Sequence, residues 1–289
     1  MSNKDLIIPE RSRDIGDFLV GRLLPFREKR MVGPFVFMDH MGPSTVGPGH
    51  YMDIGQHPHL GLSTLTFLLE GEMMHEDSLG TKQRIKPGSV NWMTAGSGVT
   101  HTERSPIDLR DGGSYPIHGY QIWVALPKDK ELISPSFHHF EASQLPYWED
   151  GAAAITLVAG KGFGKESPVP VHSPLFMLDI KVSADYDLEI AEQLQGEIGI
   201  AVVDGEVNAC DQIVRKDHLL VSKVDNQCAL KIKKDSHILV FGGDPFPEKR
   251  YIDWNFVFSE KEPIQMAKER WIKKDWPMVS GDTSYIPWP

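Results

Sequence analysis

The sequence predicts an all-β protein made of two similar β-barrels, with one helix towards its C-terminal end. Three observations lead there. The 289 residues include 26 glycines and 21 prolines, which cut the chain into short runs rich in β-branched and aromatic residues. A hexapeptide, "LLEGEM" at 68–73, returns as "VVDGEV" at 202–207. Only one stretch shows the apolar spacing of an amphipathic helix.

Taken in order, "TLTFLLEG", "SVNWMTAG", "YQIWVALP", "AITLVAG", "LFMLDIKV", "IGIAVVDGEV" and "HILVFGG" read as strands ending in turn residues. Short strands at this spacing favour a sandwich or barrel over alternating α/β units. In both copies of the repeat an apolar pair is followed by an acid, a glycine, a glutamate and an apolar residue. That is a strand turning tightly into its neighbour. The division expected is 1–132 and 133–289, with "LPKDKELISPSFHHFEASQLP" at 126–146 as the join. The helix is expected over 259–274, with Ser259 as N-cap, Glu262 three residues on, and Ile264, Ala267 and Trp271 on its packed face.

Composition narrows the function. With 40% hydrophobic and 24% charged residues the chain has the balance of a soluble globular protein. No apolar run approaches the roughly 18 residues of a membrane span, and the N-terminal stretch lacks a signal-peptide core. Cys210 and Cys228 form neither a CxxC motif nor a disulfide framework, so the cytoplasm is the expected compartment. A net charge of −10, with acids interrupting each basic cluster, argues against binding nucleic acid.

The chemistry lies in two pairs. In "HPHLGLSTLTFLLEG", His57 and His59 are two residues apart and share a strand face. The same parity continues through Gly61, Ser63, Leu65 and Phe67 into an apolar interior. In "GSGVTHTERSP", His101 and Glu103 form a second such pair. If both strands line one barrel, three imidazoles and one carboxylate converge at its mouth. That donor set suits a divalent first-row metal: iron, copper, nickel, manganese or zinc. Four protein ligands on a six-coordinate ion leave two open positions. Their charge leaves the ion net positive, which favours an anionic ligand. Glu76, in "MHED", is the expected acid–base group beside the metal. Phe37, Met38, Trp92 and Met93 are candidates for an apolar wall. His50, His118, His138, His139 and His218 are read as ordinary histidines.

The segments "HPHLGLSTLTFLLEG", "MHED", "PGSVNWMTAGSGVTHTE" and "GPFVFMDHMGP" resemble the pirin family, a branch of the cupin superfamily. The resemblance is dense over 15–125 and thinner through 150–260. It implies a bicupin: two jelly-roll barrels face to face, with one metal, iron first, in the N-terminal barrel. The ligands it implies are His57, His59, His101 and Glu103, the last also essential to turnover. Members of the family are associated with the dioxygen-dependent opening of flavonols such as quercetin, which implies a small aromatic substrate. Mammalian members are also described as iron-dependent regulators of transcription factors, so the alternative is a metal-responsive protein that acts on a protein partner.

The second barrel is expected to lack the ligands. Extending the repeat without gaps puts Ala191 and Gln193 at the HxH, and Asp235 and His237 at the HxE. A four-residue shift puts Lys231 and Lys233 at the HxE instead.

Overall fold

The computed structural model describes residues 6–15, 19–209, 211–222 and 229–289, so Cys210 and Cys228 lie outside the described residues. Twelve strands precede residue 141: β1 (Leu6–Pro9), β2 (Arg11–Asp14), β3 (Leu19–Leu24), β4 (Phe35–Val46), β5 (Asp53–His59), β6 (Leu62–Glu70), β7 (Met73–Asp77), β8 (Lys82–Ile85), β9 (Val90–Thr94), β10 (Val99–Arg104), β11 (Tyr115–Ala125) and β12 (Ser136–Phe140). Among the described residues beyond them the chain is again stranded, apart from a 3-10 turn at Ala142–Gln144 and the helix Lys261–Ile272. All seven runs read as strands from the sequence lie in strands.

The chain forms two compact parts. One gathers Ser12–Val20, Phe37–Ala142 and Pro247–Pro289; the other gathers Met1–Arg11, Gly21–Val36 and Ser143–Phe246. This differs from a cut at 132/133 in two ways. The segment expected to join the barrels contains β12, which pairs with β9, so it completes a sheet. The C-terminal helix and tail group with the histidine-bearing part, because Ile264, Ala267 and Trp271 bury themselves with Leu60, Phe256 and Phe258. The helix starts later than expected. Its N-cap is Glu260, without a side-chain capping bond. Ser259 is held elsewhere: its backbone N–H and its hydroxyl donate to the Glu131 carboxylate at 2.6 and 2.7 Å.

The histidine-bearing part is a jelly roll of two antiparallel sheets. One runs β12-β9-β6-β11-β4 and on through β3 to β2; the other runs β5-β10-β7-β8. The second compact part repeats the small sheet, with Tyr186–Leu188, Leu230–Ile232, Glu206–Ala209 and Gln212–Arg215 in the same order. The hexapeptide repeat falls on matching turns that carry the chain from a large sheet into the small one, at Gly71 (φ +79°) and Gly205 (φ +78°). Both turns need the left-handed conformation that glycine adopts without steric cost.

The repeat aligns His75 with Ala209. In the pairing register Glu103 lies opposite His75, and Leu230 lies opposite Ala209. Leu230, Ala209 and Leu188 are buried in an apolar core with Ile232 and Val207. The ungapped register holds for the HxH, because Glu103 pairs with Ile54 and Leu230 with Leu188, the same 134-residue offset as the hexapeptide, but neither register holds for the HxE. Ala191 and Gln193 follow the strand Tyr186–Leu188, while Lys231, Lys233 and Asp235 are exposed. The return to the sheet is seven residues shorter in this copy, Leu230 standing where the ungapped match puts His237, which shifts that match off the sheet.

Candidate metal centre

Strand β10 lies between β5 and β7, and that placement builds the site. On one side His101 pairs with His57 and Val99 with His59; on the other His101 pairs with Asp77 and Glu103 with His75. Between His101 and Glu103 the register with β5 slips, three steps along β5 facing two along β10. The extra residue is a bulge, which turns the histidines relative to the carboxylate.

His57, His59 and His101 come together. Each offers a ring nitrogen within 4.8 Å of the others, and all three are buried. His59 Nε2 and His101 Nε2 are 3.0 Å apart. Two nitrogens held by one ion at about 2.1 Å and at right angles would be separated by about 3.0 Å. His57 Nδ1 donates to the Gly55 carbonyl at 2.8 Å, which leaves Nε2 as the lone pair. Among the described residues His59 Nδ1 makes no full hydrogen bond, and the Asn255 backbone is a favourable neighbour of the ring. The donor set therefore fits a divalent metal: buried, neutral imidazoles with ring nitrogens turned toward one another.

Burial is the main cause of that neutrality. It lowers His57 to about 4, against a partial counter-effect from the Gly55 carbonyl. Burial, then neighbouring His57, holds His59 and His101 well below the ordinary histidine range. Glu103 moves the other way: burial raises it to about 7, partly offset by Thr66. Its Oε1 lies 3.5 Å from Thr66 Oγ1, and its carboxylate is not in the tight imidazole group.

A pH dependence follows for the metal-free protein. Below the unfolded value of 6.5 the unfolded chain takes up protons that the folded histidines refuse, down to about 4 for His57. Stability is therefore lost as pH falls through that window. Glu103 acts oppositely, because the folded state keeps a proton up to about 7 that the unfolded state releases above 4.5. One group opposes three, so the melting temperature of metal-free protein should drop between pH 7 and pH 5. A melting temperature that rises over that interval would contradict this balance.

Two expectations are corrected by the strand faces. Glu76 does not reach the site: it lies on the face of β7 opposite His75 and pairs with Lys82 at 2.9 Å. The parity from β5 does not continue into β6, because the chain breaks between them at Gly61 (φ +71°), where a Cβ would sit 1.9 Å from the Val257 carbonyl oxygen. Thr66, rather than Leu65 or Phe67, meets Glu103, and it also bonds Gln121 at 2.9 Å. Ser63 and Trp92 turn the other way, both to Thr94. Of the expected apolar wall, Phe37 stacks on Trp123 at 3.9 Å, and Trp123 meets the His59 ring edge-on at 5.3 Å. Met93 packs with Phe137, which stacks on His75 at 4.5 Å.

The remaining histidines lie elsewhere. His118 bonds His40, His139 bonds Asn91 and His218 bonds the Lys216 carbonyl. His50 and His138 are exposed. Sequence reasoning passed over His75 and Asp77. They were open to the same signal as the two pairs it used, since they too are two residues apart on one strand.

Two jelly rolls in one chain, one of them carrying buried histidines on adjacent strands, define a double cupin. The chain belongs to the pirin family: residues 18–124 match Pirin, and residues 177–277 match the Pirin C-terminal cupin domain. It is 44% identical over 274 residues to a pirin-like protein of Caulobacter vibrioides, with 92% of each chain covered. It is 27% identical over 270 residues to pirin of Mus musculus, covering 89% of this chain and 87% of that one. Among solved structures, quercetin 2,3-dioxygenase from Acinetobacter baumannii superposes with a TM-score of 0.90 at 34% identity, covering 99% of this chain and 95% of that chain. Among the described residues, no helix is long and apolar enough to cross a membrane.

Proposed function

We propose that this protein is a metal-dependent dioxygenase of the quercetin 2,3-dioxygenase kind, acting on flavonols in the cytoplasm. One divalent metal, iron first, would be held by His57, His59, His101 and Glu103. The observation that carries the reading is the meeting of three buried, uncharged imidazoles beside a buried carboxylate. The 34% identity to the Acinetobacter baumannii dioxygenase along nearly the whole chain supports it. A redox-active ion in that donor set supplies an electron path to dioxygen and a positive anchor for an enolate oxygen.

The chain's own residues supply the rest. Phe37 and Trp123, stacked beside His59, form a flat apolar wall suited to a planar aromatic. Glu103, rather than Glu76, is the carboxylate at hand to take the proton of a flavonol hydroxyl. Thr66 Oγ1 lies beside Oε1 of that carboxylate at 3.5 Å, with its hydroxyl hydrogen given to Gln121 Oε1 at 2.9 Å.

Iron-loaded protein is expected to consume dioxygen in the presence of quercetin well above the rate of free iron. Glu103→Ala should abolish this. A rate no faster than that of the free ion across a panel of flavonols would overturn the proposal, leaving a metal-responsive protein that acts on a partner.

A further inference from the structure

Behind the three imidazoles runs a chain of hydrogen bonds that begins at the hairpin between β7 and β8. Asp77 Oδ1 accepts the backbone N–H groups of Leu79 at 2.9 Å and Thr81 at 3.0 Å. Asp77 Oδ2 lies 3.0 Å from His75 Nε2. An ionised carboxylate only accepts, so His75 Nε2 carries the hydrogen. With His75 as a neutral imidazole, its one N–H goes to Asp77 and Nδ1 is left as an acceptor. It sits 3.1 Å from His101 Nδ1. That contact needs one donor and one acceptor, so the hydrogen is on His101 Nδ1. His101 Nε2 is thereby left as a lone pair, and it is the atom that faces His59.

We infer that Asp77 and His75 are positioning residues that set the tautomer of His101, so that its Nε2 is kept free to bind a metal. This rests on the reading of His57, His59 and His101 as metal ligands. The parts of the relay are fixed independently of any metal. Asp77 is buried, with its other oxygen already committed to the turn. His75 is buried and clamped by Phe137, whose ring lies over it at 4.5 Å and 27°. Burial pushes Asp77 up, but the hydrogen bonds from His75 and Thr81 outweigh it and hold the carboxyl below its ordinary value.

Asp77→Asn reverses the direction of the relay without removing its shape. Two N–H donors already point at the Oδ1 position, so the amide oxygen must stand there. The amide NH2 then faces His75 and donates where the carboxylate accepted. His75 turns to its Nδ1–H form, and His101 is driven to the Nε2–H form, with a hydrogen on the metal-facing nitrogen.

The test uses the full chain, metal-free, with 15N-labelled histidine. Nitrogen NMR should find His101 as Nδ1–H in the wild type and as Nε2–H in Asp77→Asn. Titration with Co2+ should show affinity falling about 10- to 100-fold in the variant, the usual cost of losing a group that orients a ligand. His75→Gln provides a rescue, because its amide can donate to Asp77 and accept from His101; it should keep wild-type affinity where His75→Leu loses it. His101 found as Nε2–H in the wild type would overturn the inference. So would unchanged tautomer and affinity in Asp77→Asn, or, if that variant does not fold, equal affinity in the two His75 variants. A wild-type chain with His101 as Nδ1–H that binds no Co2+ would uphold the relay and refute the metal centre instead.

Discussion

His59→Ala is expected to remove tight metal binding while leaving a folded chain. His59 is one of three imidazoles in the tight group, and its Nε2 lies 3.0 Å from His101 Nε2. A four-ligand zinc site contributes about 10–16 kcal/mol, so one ligand accounts for roughly a quarter of that, or about a hundredfold or more in affinity. His59 lies at the end of β5, and its backbone pairing with Val99 does not depend on the side chain. Circular dichroism should therefore be preserved while Co2+ titration shows the loss. Full occupancy with an unchanged metal spectrum would remove His57, His59 and His101 as a ligand set.

The second large effect is expected one residue before the first histidine, at Gln56. This side chain is 1% exposed, which means every polar atom on it must find a partner inside the protein. Its Nε2 donates to the carbonyls of Asp282 and Ser284, both at 2.9 Å, and its Oε1 accepts the Val279 N–H at 2.7 Å. Its backbone adds two more bonds, to Ser284 Oγ at 3.0 Å and from Ile286 N–H at 2.9 Å. The segment 279–286 is thus held along β5, and Arg104 on β10 bonds Asp282 and Ser284 of the same segment. Gln56→Leu keeps the volume but leaves the buried Val279 N–H and the half-buried carbonyls of Asp282 and Ser284 without this partner. At about 1–3 kcal/mol for the buried group and less for each half-buried carbonyl the loss is on the order of 3–5 kcal/mol. For a protein of this size that lowers the melting temperature by roughly 10 °C or more. Metal affinity should fall with it, because the strand carrying His57 and His59 loses its brace. A shift under about 2 °C would mean that the tail does not support the site.

What the sequence determined by itself was everything that depends on alternation within one strand. His57 with His59, and His101 with Glu103, share faces because side chains two apart on an unbulged strand point the same way, and the bulge in β5 falls before His57. The seven strands and the turning glycines Gly71 and Gly205 were legible for the same local reason. What it could not carry was parity across a turn and the choice of neighbouring strand. "MHED" holds a carboxylate in either register, yet only the pairing of β7 with β10 decides that His75 and Asp77 face His101 while Glu76 faces Lys82. Gly61 resets the face between β5 and β6, which makes Thr66 the neighbour of Glu103. Ser259 reads as a helix cap until Glu131, 128 residues away in sequence, takes its hydroxyl and its N–H. The tail likewise belongs with the histidines because Gln56 bonds it across more than 220 residues. Local patterns reflect the steric rules of a single strand, whereas pairing register and long-range hydrogen bonds are settled only when the whole core closes.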